Sequence, residues 1–134
     1  MIEPAFRLIL KAAPAVAPLV SERIYFVVAA QNERRPRLVL TLVSSQSGHT
    51  FQGRGGYVIG RMQIDCLAPT YPEAKALAKA AKDALEGFTG TVDTTVIDYI
   101  EPEDARDIPV APPQGSELPT TYGVSFDARF MHKE

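Results

Sequence analysis

The chain has 134 residues, of which 46% are hydrophobic and 22% are charged. A chain of this length forms about one domain and can bury a core without disulfides or metals, so we expect a single domain over residues 1–134. The apolar content excludes a wholly disordered protein, and no apolar run is long enough to cross a bilayer. The single cysteine, Cys66, excludes an internal disulfide and a cysteine-based metal site.

Charge is distributed unevenly along the chain. Residues 1–90 carry 11 Lys/Arg against 7 Asp/Glu, whereas residues 91–134 carry 3 against 9. This pattern fits ordinary surface charge, or alternatively neighbouring copies whose unlike surfaces meet head to tail. The apolar N-terminus is a poor signal peptide, because Glu3 precedes Arg7 and Lys11 and three prolines interrupt it, so we expect a cytoplasmic protein.

The first 45 residues predict a helix and two strands. Residues 3–11 form a short helix that ends before Pro14, with its apolar positions inward: Phe6, Ile9, Leu10 and Ala13. Residues 15–20 are a second helical turn or an irregular segment. Residues 24–30 are β-rich, and residues 37–45 are apolar on both faces, which is typical of a central strand. Residues 47–56, SGHTFQGRGG, predict a glycine-rich hairpin loop.

The stretch from residue 56 to residue 88 predicts a long strand followed by a helix. In the strand, Met62, Ile64 and Cys66 alternate with polar residues, so one face packs and the other meets water or a partner. Thr70 is a suitable helix N-cap, with Pro72 in the first turn. The apolar positions of the helix are Ala74, Leu77, Ala78, Ala81, Leu85 and Phe88, and Gly87 or Gly90 ends it.

The C-terminal third predicts two more strands. Residues 91–100 alternate weakly, and the last strand places Tyr122, Val124, Phe126, Ala128 and Phe130 toward the core. Between them, residues 101–121 hold five of the eleven prolines and predict an exposed, acidic, proline-rich loop. The predicted fold is therefore α+β: an antiparallel sheet of about five strands, with one long helix and the short N-terminal helix on one face, in the order α-β-β-β-α-β-β.

No set of residues predicts an active site. The glycines of residues 53–56 precede a strand and not a helix, so a hairpin tip is favoured over a phosphate loop. His49 and His132 lack ligand spacing, and Asp65 and Cys66 point to opposite faces of one strand. The basic residues fit a solvated face better than a nucleic-acid surface, because no recognition helix accompanies them: Arg34, Arg35, Arg37, Arg54 and Arg61. We therefore predict no enzyme, no metal and no cofactor.

Four segments resemble the tail completion, or tail terminator, family of long-tailed bacteriophages, prophages and gene transfer agents. They are FRLILKAAPAVAPLVSERIYF, LVLTLVSSQSGHTFQG, RMQIDCLAPTYPEAKALAKAAKDALEGFTGT and YGVSFDARFMH, and the third is the most distinctive. The resemblance covers essentially the whole chain, as one tail-terminator-like domain. It departs from the family at residues 102–119, where members often have a short connection.

The resemblance implies a structural virion protein that assembles in the bacterial cytoplasm as a ring, typically of six copies. Such a ring caps the tail tube, ends polymerisation of the major tail tube protein and joins the head-completion or connector protein. DNA would pass through its lumen without sequence recognition, and no membrane is involved. Two alternatives are a connector ring of the same particle and, less favoured, a non-viral protein-binding domain.

Two segments are the expected partner surfaces if the resemblance holds, residues 48–56 and residues 101–121. Arg54 and Arg61 are the main charged interface candidates. The full set of interface residues that we predict is His49, Phe51, Arg54, Arg61, Asp65, Glu103, Asp104 and Asp107.

Overall fold

The computed structural model describes residues 2–27, 35–50, 53–110 and 121–133, and for residues 48–50 and 53–55 it describes the backbone alone. These residues form three helices and seven strands. In chain order they are α1 (Ile2–Ala12), α2 (Ala17–Val20), β1 (Ile24–Phe26), β2 (Arg37–Thr50), β3 (Gly53–Ala68), α3 (Tyr71–Leu85), β4 (Gly90–Val92), β5 (Thr95–Pro102), β6 (Arg106–Ile108) and β7 (Tyr122–Lys133).

The strands form one sheet in the order β1-β2-β3-β7-β5-β4, with β6 also paired to β7. Neighbours from β2 to β4 are antiparallel, but β1 runs parallel to β2. The α+β class is thus confirmed, whereas the count of about five strands and the wholly antiparallel sheet were wrong. Alternation with a period of two is the same for parallel and antiparallel neighbours, so the sequence pattern carries no direction for β1.

The predicted helices form where their spacing and caps indicated. Helix α1 buries Phe6 and Leu10 completely, and α2 is the predicted second helical turn. Helix α3 begins after Thr70, whose Oγ1 accepts a hydrogen bond from the backbone N–H of Glu73 at 3.4 Å. It ends at Leu85, and Gly87 follows with φ 69°, a conformation that costs glycine little because it has no Cβ.

The core lies between these helices and one face of the sheet. Met62, Ile64 and Cys66 of β3 are fully buried there, as the alternation predicted. The ring of Phe130 meets the ring of Phe6 edge-on, with their centroids 5.6 Å apart. Tyr122 was expected in this core but is 42% exposed, because it lies at the very start of β7, beyond the packed part of the strand.

The predicted loop at residues 47–56 is largely paired strand. The β2–β3 ladder continues to the pair Thr50–Gly53, with register shifts at residues 42–44 and 47–49. Such shifts mark β-bulges or similar irregularities, at which a residue is left unpaired and the ladder is locally disrupted. At Gly60 the backbones approach so closely that a Cβ would lie 2.4 Å from the carbonyl oxygen of Ser44 and 2.5 Å from Cζ of Phe130.

Strand β1 is shorter than the predicted strand over residues 24–30. It ends at Phe26 because Val27 adopts φ 69°, which turns the chain out of the extended conformation. The N–H of Val27 still donates to the carbonyl oxygen of Leu40 at 2.8 Å. A β-branched residue ordinarily avoids this conformation, so the β-rich composition predicts that the strand continues through Val27. Residues 28–30 of the predicted strand lie outside the described residues.

Two further strands depart from the prediction. The expected single strand over residues 91–100 is a hairpin, β4 and β5, which turns at Asp93 with φ 57°, a conformation that aspartate tolerates.

The expected loop over residues 101–121 begins instead as paired strand: β5 extends to Pro102, and β6 pairs with residues 123–125 of β7. Ile108 packs closely over Gly123, where a Cβ would lie 2.7 Å from Ile108 Cγ1. Residues 111–120 lie outside the described residues.

Candidate functional site

The sheet face opposite the helices carries a connected set of polar and charged side chains, here called the charged face. Its register places Arg61 opposite Arg129, Gln63 opposite Asp127 and Asp65 opposite Ser125. Successive strand residues point to opposite faces, so the burial of Met62, Ile64 and Cys66 puts these polar neighbours on the outer side. The remaining members of the charged face are Glu101 of β5, Arg106 of β6, and Glu103, which lies between these two strands.

Ion pairs join the arginines of the charged face to its carboxylates. One oxygen of Asp127 lies 3.2 Å from Nη1 of Arg61, and its other oxygen lies 3.4 Å from Nη2 of Arg106. Arg61 also pairs with Glu103. Arg129 lies 2.8 Å from Oε2 of Glu101. These charges are compensated within the chain, and because most are partly exposed, each pair contributes no more than about 1 kcal/mol to the free energy of unfolding.

Asp65 is held by two hydrogen bonds at the start of the charged face. Its Oδ1 accepts from the hydroxyl of Ser125 at 2.7 Å and from Nε2 of Gln63 at 3.0 Å. Cys66 points into the core, where burial raises the pKa of its thiol far above the ordinary value and the nearby charge of Asp65 adds to the rise. The thiol therefore stays protonated, and Asp65 and Cys66 form no nucleophile–base pair.

A second cluster lies where β6 meets the start of α3. The hydroxyl of Tyr71 lies 3.0 Å from both carboxylate oxygens of Asp107, to which it donates. The Tyr71 ring contacts the ring of Tyr122 at 6.2 Å, and the Lys75 ammonium lies 5.5 Å from the Tyr71 centroid. Asp104 is exposed between β5 and β6, in a shallow groove whose other wall carries lysines of α3: Lys75, Lys79 and Lys82.

The structure brings together three of the eight predicted interface residues, Arg61, Asp65 and Glu103, on the charged face. Asp104 and Asp107 lie beyond it, at the β5–β6 edge of the sheet. The backbone of His49 pairs with that of Arg54, whereas their side chains and Phe51 lie outside the described residues.

The prediction missed the four other charged members of the charged face, Glu101, Arg106, Asp127 and Arg129, and its two uncharged polar members, Gln63 and Ser125. The outward alternation of Asp127 and Arg129 in the last strand was a usable signal. What it lacked was the pairing of β3 with β7, since those strands are more than fifty residues apart in sequence.

The hairpin formed by β2 and β3 projects past the rest of the sheet. The pairing of β3 with β7 begins at Tyr57, so the pairs His49–Arg54 and Thr50–Gly53 lie beyond the end of β7. We call residues 48–50 and 53–56 the hairpin tip. Over the described residues, no third strand pairs with the tip, which leaves both of its backbone edges open to a partner.

The part of the chain that the structure describes contains no cluster of three or more potential metal-ligating side chains. Among the same residues, no helix is both long and apolar enough to cross a membrane.

Comparison with known proteins places this arrangement in a family. The family model described as "Tail completion protein gp17" matches residues 5–130. A solved structure titled "Virion of native gene transfer agent (GTA) particle" has a similar fold, with a TM-score of 0.71, 18% sequence identity, and coverage of 98% of this chain and 93% of that chain. A search of curated protein sequences found no match. The chain belongs to the tail completion protein gp17 family, which consists of structural tail proteins of virions and not of enzymes.

Proposed function

We propose that this protein is a tail terminator that caps the tail tube as a ring, most simply of six copies. The ring ends polymerisation of the major tail tube protein and presents its other side to a head-completion or connector protein. It assembles in the bacterial cytoplasm, becomes part of a phage or gene-transfer-agent particle, and lets DNA pass without reading its sequence. The observation that carries this proposal is the family match over residues 5–130.

The hairpin tip supports a contact with the tail tube. Its strands extend beyond β7, so their open backbone groups can pair with a strand of another protein. Two of the predicted interface residues, His49 and Arg54, belong to the tip, and a third, Phe51, lies between its two segments in the sequence. We assign the tube-contacting role to this tip.

The charged face has a different role in this proposal. Arg61 is occupied by Asp127 and Glu103, and Asp65 is occupied by Ser125, so these side chains hold neighbouring strands together. A face whose arginines are neutralised by carboxylates attracts polyanions weakly. Such a surface can border a DNA passage without retaining the DNA, which is what a lumen requires.

Deletion of the gene tests the terminator role against the two alternatives. Loss of a terminator leaves overlong tails that are not joined to heads, because nothing stops polymerisation of the tube. Loss of a connector component leaves tails of normal length that are equally unjoined. Normal particles would instead point to a protein-binding domain outside the virion, and either of the last two results contradicts the proposal. Tail lengths are measured by electron microscopy, with complementation by the intact gene as the control.

Charge reversal at the hairpin tip tests the tube contact. Arg54→Glu is expected to lengthen the tubes that form when purified protein and tail tube protein are mixed, with little change in the free energy of unfolding. Lys79→Glu, on the exposed outer side of α3, is the matched control and should leave tube length unchanged. Tubes of normal length with Arg54→Glu would remove the tip from the proposal.

A further inference from the structure

The two lateral edges of the sheet carry opposite charge. Beside β1 lie Arg7, Lys11 and Arg23, which we call the basic edge. On the other side, residues 98–107 hold five carboxylates against one arginine, and we call this segment the acidic edge. Strand β1 ends the sheet on one side, and β4, β5 and β6 end it on the other.

The charge of the basic edge is only partly compensated within the described residues. Arg23 donates to two carbonyl oxygens, that of Pro36 at 2.9 Å and that of Leu19 at 3.0 Å, and Arg7 donates to that of Ile24 at 3.4 Å. Lys11 pairs with Glu22 at 3.1 Å, and this contact lowers the pKa of the Glu22 carboxyl. Carbonyl oxygens position a guanidinium without neutralising it, so Arg7 and Arg23 remain available to a carboxylate of another molecule.

Three carboxylates of the acidic edge are equally uncompensated. Asp98 and Asp104 are exposed and form no ion pair with any residue that the structure describes. Asp107 meets a neutral hydroxyl, that of Tyr71. Arg61, Arg106 and Arg129 are engaged by the carboxylates of the adjacent charged face. The other cations near Asp104 are the lysines across its groove, of which Lys79 pairs with Asp83: Lys75, Lys79 and Lys82. Within the described residues none of these lysines forms an ion pair with Asp104 or Asp107, so both carboxylates can accept an arginine of another molecule.

The register of the sheet places Arg23 and Asp107 at nearly the same level on its two edges. One row of paired residues crosses the sheet as Ile24, Leu38, Cys66, Val124 and Asp107. Arg23 directly precedes Ile24, so Arg23 and Asp107 lie near opposite ends of this row.

The neighbouring rows show at which level of the sheet the other two carboxylates, Asp104 and Asp98, lie. Asp104 follows Glu103, whose N–H donates to the carbonyl oxygen of Asp127, and it precedes Arg106, which pairs with Ser125. Asp104 is therefore within about two rows of Asp107. Asp98, by contrast, lies level with residues 46–47 of β2, beyond the end of β1.

The basic edge also exposes apolar surface. Phe26 is 42% exposed and Val27 is 66% exposed, beside a shallow groove that is mostly apolar, with Pro4, Leu40 and Leu42, and that contains one carboxylate residue, Glu3. Strand β1 has no neighbour on its outer side among the described residues, so its edge is open to pairing. Apolar side chains, an open strand edge and adjacent positive charge favour an acidic strand edge as the partner.

We propose that the basic edge of one copy docks against the acidic edge of a second copy, with Arg23 facing Asp104 and Asp107. Like edges repel each other, so the contact is head to tail, and such contacts close into a ring when the rotation from one copy to the next divides a full turn. The inference rests on the proposed function, since it specifies how the ring of that proposal is joined. It assigns the subunit contact to Arg23, Asp104 and Asp107. Arg61 is not part of this contact, because it pairs with Asp127 and Glu103 of its own chain.

Cysteine cross-linking tests this contact directly. The native thiol of Cys66 is buried and protonated, so introduced cysteines are the reactive ones. The variant with Arg23→Cys and Asp104→Cys is treated with a short bismaleimide, in solution and on tail tubes. We expect a ladder of covalent oligomers that stops at the copy number of the ring. In the matched control, Arg23→Cys with Asp98→Cys, the second cysteine lies beyond the end of β1 and not level with residue 23. This variant should give at most a trace of the ladder.

Charge exchange separates a lost contact from a misfolded protein. Arg23→Glu and Asp104→Arg alone should each weaken self-association by roughly tenfold or more, and the double exchange should restore most of it. Association is measured by native mass spectrometry and light scattering across a wide concentration range. Two substitutions that each damaged the fold would not restore self-association when combined, so recovery in the double variant indicates a direct contact.

The outcomes for the interface and for the function are distinct. If the wild-type protein caps tubes but the Arg23–Asp104 pair gives no ladder, or the double exchange does not restore association, the interface is overturned and the function stands. Dimers from Arg23→Cys alone would also overturn it, because they indicate a symmetric contact. Failure of the wild-type protein to cap tubes overturns the proposed function itself.

Discussion

The two faces of strand β3 differ in what they contribute to the protein. On one face Met62, Ile64 and Cys66 are fully buried against the helices, and on the other Arg61, Gln63 and Asp65 remain partly exposed in a polar network. Burial of apolar surface contributes roughly 1.5–3 kcal/mol for each large side chain, whereas an exposed ion pair contributes up to about 1 kcal/mol. The core face therefore contributes most of the free energy of unfolding, and substitutions on the charged face should lower it only slightly.

Phe130→Ala is the strongest test of this comparison. The side chain is fully buried between Phe6 and His132, with centroids 5.6 Å and 5.7 Å from its own. Its loss leaves a cavity, so the free energy of unfolding should fall by about 3–5 kcal/mol in a urea titration. The control, Ile59→Ala, removes an apolar side chain on the opposite face that is 43% exposed, and should cost less than about 1 kcal/mol. Equal losses at the two positions would contradict the comparison.

Gly60→Ala tests the packing of the core face where the strands are irregular. The added Cβ would overlap the carbonyl oxygen of Ser44 and the ring of Phe130, so we expect a loss of about 1–3 kcal/mol. Phe130→Leu in the same chain removes part of that overlap. Urea titrations of both single variants and the double variant should therefore show a double-variant loss smaller than the sum. If the losses of the two single variants simply add, the clash with Phe130 is not the reason that position 60 requires glycine.

Asp127→Asn should have the smallest effect, although it weakens pairs with two arginines, Arg61 and Arg106. We expect the free energy of unfolding to fall by about 1 kcal/mol at low salt and by less at 1 M salt, where such pairs are screened. Thermal unfolding at the two salt concentrations measures the difference. A loss above about 3 kcal/mol that persists at high salt would show that the charged face is as important for stability as the core face.

Local patterns in the sequence predicted much of the core face. The alternation around Met62 and Ile64, the helical spacing around Leu77 and the cap at Thr70 each depend on neighbours within a few residues. The family was also identified from sequence segments, and the family match confirms it. Helix and cap signals are reliable here because the backbone groups that they satisfy are close along the chain, and strand alternation is reliable because one strand displays it without its partners.

The charged face and the two edges required long-range information. Arg61 meets Glu103 and Asp127 only because β3 pairs with β7 and the chain from β5 to β6 returns along β7. Composition predicted an exposed loop at residues 101–121, since prolines and acidic residues rarely favour strands. The backbone hydrogen bonds available along β7, and the tight fit of Ile108 over Gly123, overrode that preference for residues 106–108.

The amino-acid sequence by itself determined most of the core positions, though not the exposure of Tyr122, and it determined where the two longer helices lie and to which family the chain belongs. The tertiary structure alone decided which charges are neutralised within the protomer and which remain on opposite edges of the sheet. Burial follows from local periodicity, which a single strand or helix already displays. Ion pairing depends on the order and register of strands far apart in sequence, and those are settled only when the whole sheet forms.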